Sequence, residues 1–229
     1  MRSNITAATR SIAPAKSFNH KWVTGLIMAA VLALGWKYPL WGFVVPVAMG
    51  AGILGGFFRG RWVCGNLCPR GSFLDTWFNL VSAKKENPVL LSGKKFRWST
   101  LTMLMSFMVF RLAQNPGEVD HWGLVFWQMC LVTTIAAFAL GLRYSARSWC
   151  TFCPVGTLAS SIGGEKYPLQ VHSSCKTCGL CEKSCPMQLS IPQHRQSGSL
   201  QEQDCIKCSE CIKACPRNDV LKWPLKKAA

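Results

Sequence analysis

Eight of the thirteen cysteines fall into two runs of one pattern: Cys175, Cys178, Cys181 and Cys185 before Pro186, then Cys205, Cys208, Cys211 and Cys215 before Pro216. The pattern, C-x2-C-x2-C-x3-C-P, places three thiolates close enough in the chain to wrap the corners of one cubane [4Fe-4S] cluster. The distant fourth Cys of each run ligates the cluster of the other. Cluster I is therefore expected on Cys175, Cys178, Cys181 and Cys215, and cluster II on Cys205, Cys208, Cys211 and Cys185. The chemistry such a pair performs is electron transfer. Paired C-x2-C elements also build tetrahedral zinc sites, but zinc accounts for neither the third close Cys nor the Cys-Pro ending that occurs twice.

Four further cysteines sit in a second, different repeat. Residues 59–71 read RGRWVCGNLCPRG and residues 147–156 read RSWCTFCPVG, so that Cys64 and Cys68 precede Pro69 while Cys150 and Cys153 precede Pro154. Three readings stand for these thiols. Four soft thiolates suit a third cluster or another metal site. They also suit a redox-active dithiol pair, with thiolates stabilised by Arg59, Arg61, Arg70 and Arg147. The third reading is a structural turn closed by Pro and Gly. Cys130 is left over with no sequence neighbour to pair with, and a buried free Cys behaves as a small apolar residue.

The elements that must carry these motifs are apolar. Residues 22–36, 38–58, 98–110 (extendable to 113) and 122–142 form four hydrophobic stretches. The second and fourth are long enough to cross a hydrocarbon core of roughly 30 Å at about 1.5 Å per residue. The first and third are shorter and rely on Lys21, Lys37, Arg97 and Arg111 reaching the headgroups, with Trp22, Trp36 and Trp98 at their ends. Gly50, Gly52, Gly55 and Gly56 in the second stretch suit a close-packing seam between helices. Each Cys-Pro motif follows a pair of stretches, so the chain reads as an internal repeat with both motifs on one face.

Lys and Arg set the orientation. The N-terminal segment holds Arg2, Arg10, Lys16 and Lys21, and the loop after the second stretch holds Arg59, Arg61, Arg70, Lys84, Lys85, Lys94, Lys95 and Arg97. The opposite side has Lys37 and Arg111, offset by Glu118 and Asp120. The positive-inside rule then puts both termini in the cytoplasm, where thiolates stay reduced. Three units are expected: a basic cytoplasmic arm at 1–21, a four-span membrane domain at 22–164, and a two-cluster domain at 165–229. The arm lacks the apolar core of a cleavable signal peptide.

The fold class is an α-helical membrane protein, a four-span transmembrane bundle carrying a C-terminal cytoplasmic 2[4Fe-4S] bacterial-ferredoxin-like α+β domain. The net charge of +16 lies mostly at the ends of apolar segments, with no basic stripe interleaved by aromatics, so membrane lipid rather than nucleic acid is the expected partner. His20, His121, His172 and His194 are not placed mid-span as axial ligands, so no haem is expected. Lys176, Lys183, Lys207, Lys213 and Arg217 interleave the tail cysteines and favour docking of an acidic redox partner.

Four spans, two membrane-edge Cys-Pro motifs and a C-terminal double ferredoxin run together resemble the NapH-type membrane polyferredoxins, whose relatives include the membrane core of NosR and the protein MauN. The resemblance covers most of the chain. It implies a multi-pass protein of the bacterial inner (cytoplasmic) membrane, the membrane component of a quinol dehydrogenase, passing electrons through cytoplasmic-side clusters. Cys64, Cys68 and Pro69 match the family's C-x3-C-P motif, whereas Cys150, Cys153 and Pro154 are one residue shorter. The function expected is relay of electrons between quinone or a membrane redox partner and a partner oxidoreductase. The alternatives are an accessory electron donor in the maturation or regulation of a metalloenzyme, and a membrane anchor with structural clusters.

Overall fold

The computed structural model describes residues 20–83, 85–217 and 219–224. Most of the expected arm, with Arg2, Arg10 and Lys16, and also Lys84, lies outside them. Helices stand at all four hydrophobic stretches. Helix α1 is His20–Leu34, and a 3-10 turn at Pro39–Phe43 leads into α2, Val44–Arg59. Two short helices carry the first Cys-Pro motif, α3 at Trp62–Asn66 and α4 at Pro69–Phe73, the latter running into a π-helical turn at Leu74–Phe78. After α5 (Val89–Ser92) come the long helices α6, Lys94–Ala113, and α7, Val119–Arg143. The second motif repeats the first with α8, Ser148–Phe152, and α9, Pro154–Gly163. In both copies Pro opens the second short helix, where its missing N–H costs nothing and its fixed φ suits the first turn.

Two helical segments are long and apolar enough to cross a membrane, Pro39–Arg59 and Val119–Arg143. Helix α6 matches them in length but begins with Lys94, Lys95 and Arg97, which lower its mean hydropathy. Its only buried residue is Arg97, while Met103, Phe107, Val109 and Phe110 are exposed. Leu26 on α1, Val47 and Leu54 on α2, and Val132 and Ile135 on α7 are exposed as well. Apolar surface of that extent, spread over several helices, marks a face that meets lipid or another protein.

The glycine seam on α2 packs as its composition suggests, at three of its four positions. A Cβ on Gly52 would meet Val155, one on Gly55 would meet Val63, and one on Gly56 would lie 3.1 Å from the Ala159 backbone. Gly50 faces open space instead. Gly52 and Gly56 thus press α2 against α9, and Gly55 presses it against α3, setting the second Cys-Pro motif beside the end of the first repeat.

The tail has its own core of Leu169, Val171, Ile191, Leu200, Val220 and Leu221. Its small antiparallel sheet pairs β1, Gln170–Val171, with β2, Leu221–Lys222. Helices α10, Leu180–Lys183, and α11, Glu210–Ala214, lie within the first and second cysteine runs, and each begins one residue before a buried Cys, Cys181 and Cys211.

Candidate iron-sulfur sites

The two cysteine runs of the tail adopt one backbone shape. Thr177 and Gly179 in the first run have φ of 50° and 75°, and Lys207 and Ser209, at the same offsets in the second, have 55° and 65°. Turns of this kind can aim successive N–H groups into one concavity, the form that holds anionic iron-sulfur clusters. Gly179 adopts this without strain. Ser209 does so at a cost of about 1 kcal/mol, and its hydroxyl accepts the Trp223 Nε1 hydrogen at 2.9 Å. A small cavity of about 20 Å³ is lined by Cys205, Cys208, Cys211 and, from the other run, Cys185. Burial pushes the Cys211 thiol up to about 12, and Cys208, Cys205 and Cys185 push the same way. Burial likewise pushes Cys205 up to about 11. In the first run Cys181 has Cys175 and Cys178 as electrostatic neighbours, Cys178 is exposed, and Cys215 packs against the shared core.

The thiols of the two Cys-Pro motifs also converge. Cys64, Cys68, Cys150 and Cys153 line one apolar cavity of about 160 Å³ whose walls come from α1, α2, α6 and α7. What brings them together is a reciprocal exchange of arginines. Arg61, three residues before Cys64, donates to the Cys150 carbonyl of the other repeat. Arg147, three residues before Cys150, donates to the Cys64 carbonyl at 3.1 Å. Each guanidinium lies against the glycine that follows the opposite Cys-Pro. A Cβ on Gly71 would sit 2.6 Å from Arg147 Nη1, and one on Gly156 2.6 Å from Arg61 Nη2. Both arginines are almost wholly buried, at 1% and 2% exposure, so each needs a carboxylate. Arg147 has Asp75, with Nε to Oδ1 at 2.8 Å and Nη2 to Oδ2 at 2.7 Å. Arg61 has Asp204 at 2.9 Å.

Arg70, half-buried, is the third cation beside the thiols. Its Nη2 donates to Thr133 Oγ1 at 2.7 Å and lies 3.6 Å from the Cys130 sulfur, so Cys130, isolated in the sequence, has a neighbour in space. The guanidinium stands over the Trp149 ring, 5.9 Å from its centroid. Arg59 turns outward onto Trp62 and is not among the cations around the thiols.

The donor set fits an anionic cluster. Among the buried N–H groups with no protein acceptor are Arg61 Nε, Arg70 Nε and Trp149 Nε1, and all three residues line the thiol cavity. Orphaned donors are costly, and the sulfur of a cluster accepts such hydrogen bonds, which tune its potential. Burial pushes Cys64 up to about 12 against the pull of Arg61, and raises Cys68 too. As bare thiols these two keep their protons at neutral pH, unlike reactive dithiol cysteines; bound iron would displace them. Among the described residues no three Cys, His, Asp or Glu side chains gather around a single metal ion. A cubane draws its ligands to separate corners rather than to one centre.

One tail residue departs from the expected docking role. Lys207 is buried, at 5% exposure, and its ammonium donates to the carbonyls of Arg59, at 2.9 Å, and of Lys166. It ties the tail to the N-terminal helical half, whereas Lys176, Lys183 and Arg217 are exposed. The sequence signal that could have exposed the arginine exchange is the shared offset of Arg, Cys, Pro and Gly in both repeats. Asp75 and Asp204 carry no such signal.

Comparison with known proteins agrees with this division. Residues 41–88 and again 126–164 match a family described as a 4Fe-4S binding domain, and residues 174–220 match a 4Fe-4S dicluster domain. These matches support an iron-sulfur electron-transfer family. The first match falls on each Cys-Pro repeat in turn, with Cys64 and Cys68 in one segment and Cys150 and Cys153 in the other. Two uncharacterized proteins of Methanocaldococcus jannaschii are similar: MJ0750, 25% identical over 72% of this chain and 72% of its own length, and MJ0749, 24% identical over 85% and 81%. A protein of Escherichia coli K12 named "Putative electron transport protein YccM" is 23% identical over 72% of this chain and 52% of its own length. The chain thus spans about half of YccM. No solved structure matches.

Proposed function

We propose that the chain is a membrane-bound iron-sulfur protein that relays electrons between the quinone pool, or a membrane redox partner, and a partner oxidoreductase. In this reading α1, the Pro39–Arg59 segment, α6 and α7 all cross the bilayer, with both termini in the cytoplasm. The exposed apolar side chains of α1 and α6 support spanning by these two helices as well. Cys175, Cys178, Cys181 and Cys215 hold one cluster of the tail, and Cys205, Cys208, Cys211 and Cys185 the other. Cys64, Cys68, Cys150 and Cys153 hold a third at the membrane edge. Bound clusters supply one-electron chemistry; the chain supplies spacing, burial and charge.

The observation that carries the reading is the convergence of four thiols with Arg61 and Arg70 on one apolar cavity walled by the four long helices, with the buried Arg147 bonded to the Cys64 carbonyl beside it. Four thiolates and a [4Fe-4S] core are net anionic, and Arg61, Arg70 and Arg147 offset that charge where water cannot.

Anaerobic iron and sulfide quantification with EPR on detergent-purified protein tests this, with a Cys64→Ser/Cys68→Ser variant alongside. About twelve irons per chain, falling to about eight in the variant, is the expected result for three cubane clusters of which the variant loses one. Unchanged iron in the variant would make the membrane-edge thiols structural or dithiol-active.

A further inference from the structure

The two Cys-Pro repeats have matching parts at matching offsets, with one part missing. Gly71 is followed four residues later by Asp75, and Asp75 grips the Arg147 that lies on Gly71. Four residues after Gly156 stands Ser160. Ser160 carries no charge and donates its hydroxyl to the Thr157 carbonyl at 3.0 Å. The carboxylate that Arg61 receives instead comes from the tail. Asp204 reaches it at 2.9 Å, and its two oxygens are also held by Arg97 of α6. The next residue after Asp204 is Cys205.

We infer that Asp204 completes the membrane-edge thiol site from the tail, and that it thereby fixes the second cysteine run, with Cys185, as the inner redox station and the first run, with Cys215, as the outer one. The inference rests on the reading that both runs carry clusters. Among the described residues, the hydrogen bonds and ion pairs that join tail to membrane half involve Lys166, Gln188, Asp204, Lys207 and Glu210. Apart from Lys166, these belong to the second run or follow Cys185 closely. Asn66 donates to the Lys207 carbonyl at 3.3 Å. Gly65, next to Cys64, lies so close that a Cβ there would be 2.1 Å from the Ile206 carbonyl oxygen. The first run makes no such bridge, and its Cys178 is exposed. Electrons pass singly between stations with no bond made or broken, and the order is the same for either direction of flow.

Full-length protein in detergent, as purified anaerobically, provides the test through the variants Asp204→Asn and Arg97→Gln. In Asp204→Asn, amide exchange should rise about tenfold at residues 61–66 and 203–209, as expected for losing charge-assisted hydrogen bonds, and stay unchanged at 172–181. In potentiometric EPR, one tail signal should move to higher potential because a negative charge beside its ligand is gone. That signal should be the one lost in Cys208→Ser, while the signal lost in Cys178→Ser stays in place. Should Asp204→Asn fail to assemble, Arg97→Gln, which keeps the bond between Arg61 and Asp204, should raise exchange at the same residues by less and move the same tail signal to lower potential, because it removes a positive charge. Unchanged exchange and potentials, or movement of the first-run signal, would overturn the inference. Wild-type protein without tail clusters would instead overturn the functional reading beneath it.

Discussion

The ion pair between Arg147 and Asp75 gives the sharpest test of how the thiol site is held, because its two members are unequally buried. Arg147 is 2% exposed, and among the described residues its polar partners beyond Asp75 are the Cys64 carbonyl at 3.1 Å and the Cys150 sulfur at 3.7 Å. Asp75 is 19% exposed and keeps a second cation, Lys21, at 3.1 Å. Removing one member of a buried pair costs about 3–5 kcal/mol because the other is left uncompensated. Arg147→Met leaves Asp75 with Lys21 and some water, so its cost belongs near about 3 kcal/mol, at the low end of that range. Asp75→Asn strands the guanidinium and belongs near about 5 kcal/mol, at the high end. The double variant should cost less than the sum, with a coupling of about 2–3 kcal/mol.

The assay is denaturant unfolding in mild detergent, followed by tryptophan fluorescence, with all four proteins of the cycle at one pH. If Arg147→Met costs as much as Asp75→Asn, or if the two add, the pair does not organise the site and the reasoning fails. The same cycle has a pH signature. Burial alone would raise the Asp75 carboxyl, but Arg147 and Lys21 outweigh it and hold it below the usual range. A depressed carboxyl stabilises the fold above its unfolded pKa of about 3.9, and the contribution is lost as pH falls through the lower folded value. The gap between wild type and Asp75→Asn should therefore be constant at neutral pH and close only in acid.

Four other outcomes follow from the geometry. Gly156→Ala and Gly71→Ala each put a methyl 2.6 Å from a pinned guanidinium. Each should lower stability by about 1–3 kcal/mol, read from the same unfolding curves; neutral behaviour of both would mean the arginines are free to move. Cys185→Ser should remove the EPR signal that Cys208→Ser removes, since the two share a cavity; loss of the Cys178→Ser signal instead would refute crossed ligation. Reversing Lys176 and Lys183 to Glu should slow electron exchange with an acidic partner about tenfold at low salt. Lys207→Met should instead lower stability with little change in the salt dependence of that exchange, measured by stopped-flow absorbance.

What could be read from the chain was what is local. Cysteine spacing acts over a few residues, and the structure gives both tail runs the same left-handed turns at the same offsets, Thr177 with Lys207 and Gly179 with Ser209. The four hydrophobic stretches became four helices because apolar length and flanking charge also act locally. Partnerships across the fold were hidden. Nothing near Arg61 in the sequence announces Cys150 or Asp204, and a basic residue in a cysteine motif reads equally well as thiolate stabiliser or as headgroup anchor. Lys207 misled for the same reason: its spacing matches the exposed tail lysines, but the docking of the second run buries it.

The pseudo-symmetry of the membrane half also explains why its two motifs can differ without losing the site. In each repeat the structural work is divided between an Arg that crosses over and a Gly that receives the opposite Arg, and these stand at corresponding offsets. The spacing between the two cysteines is free to change as long as both thiols still face the shared cavity, as Cys64 and Cys68 do at one spacing and Cys150 and Cys153 at another. The carboxylate is the part that was not duplicated. One comes from within the membrane half and the other from the residue before Cys205, so a symmetric site is finished asymmetrically by the tail. A site built from two equal halves has no reason to favour either cysteine run as its neighbour; the single carboxylate supplied by Asp204 supplies that preference.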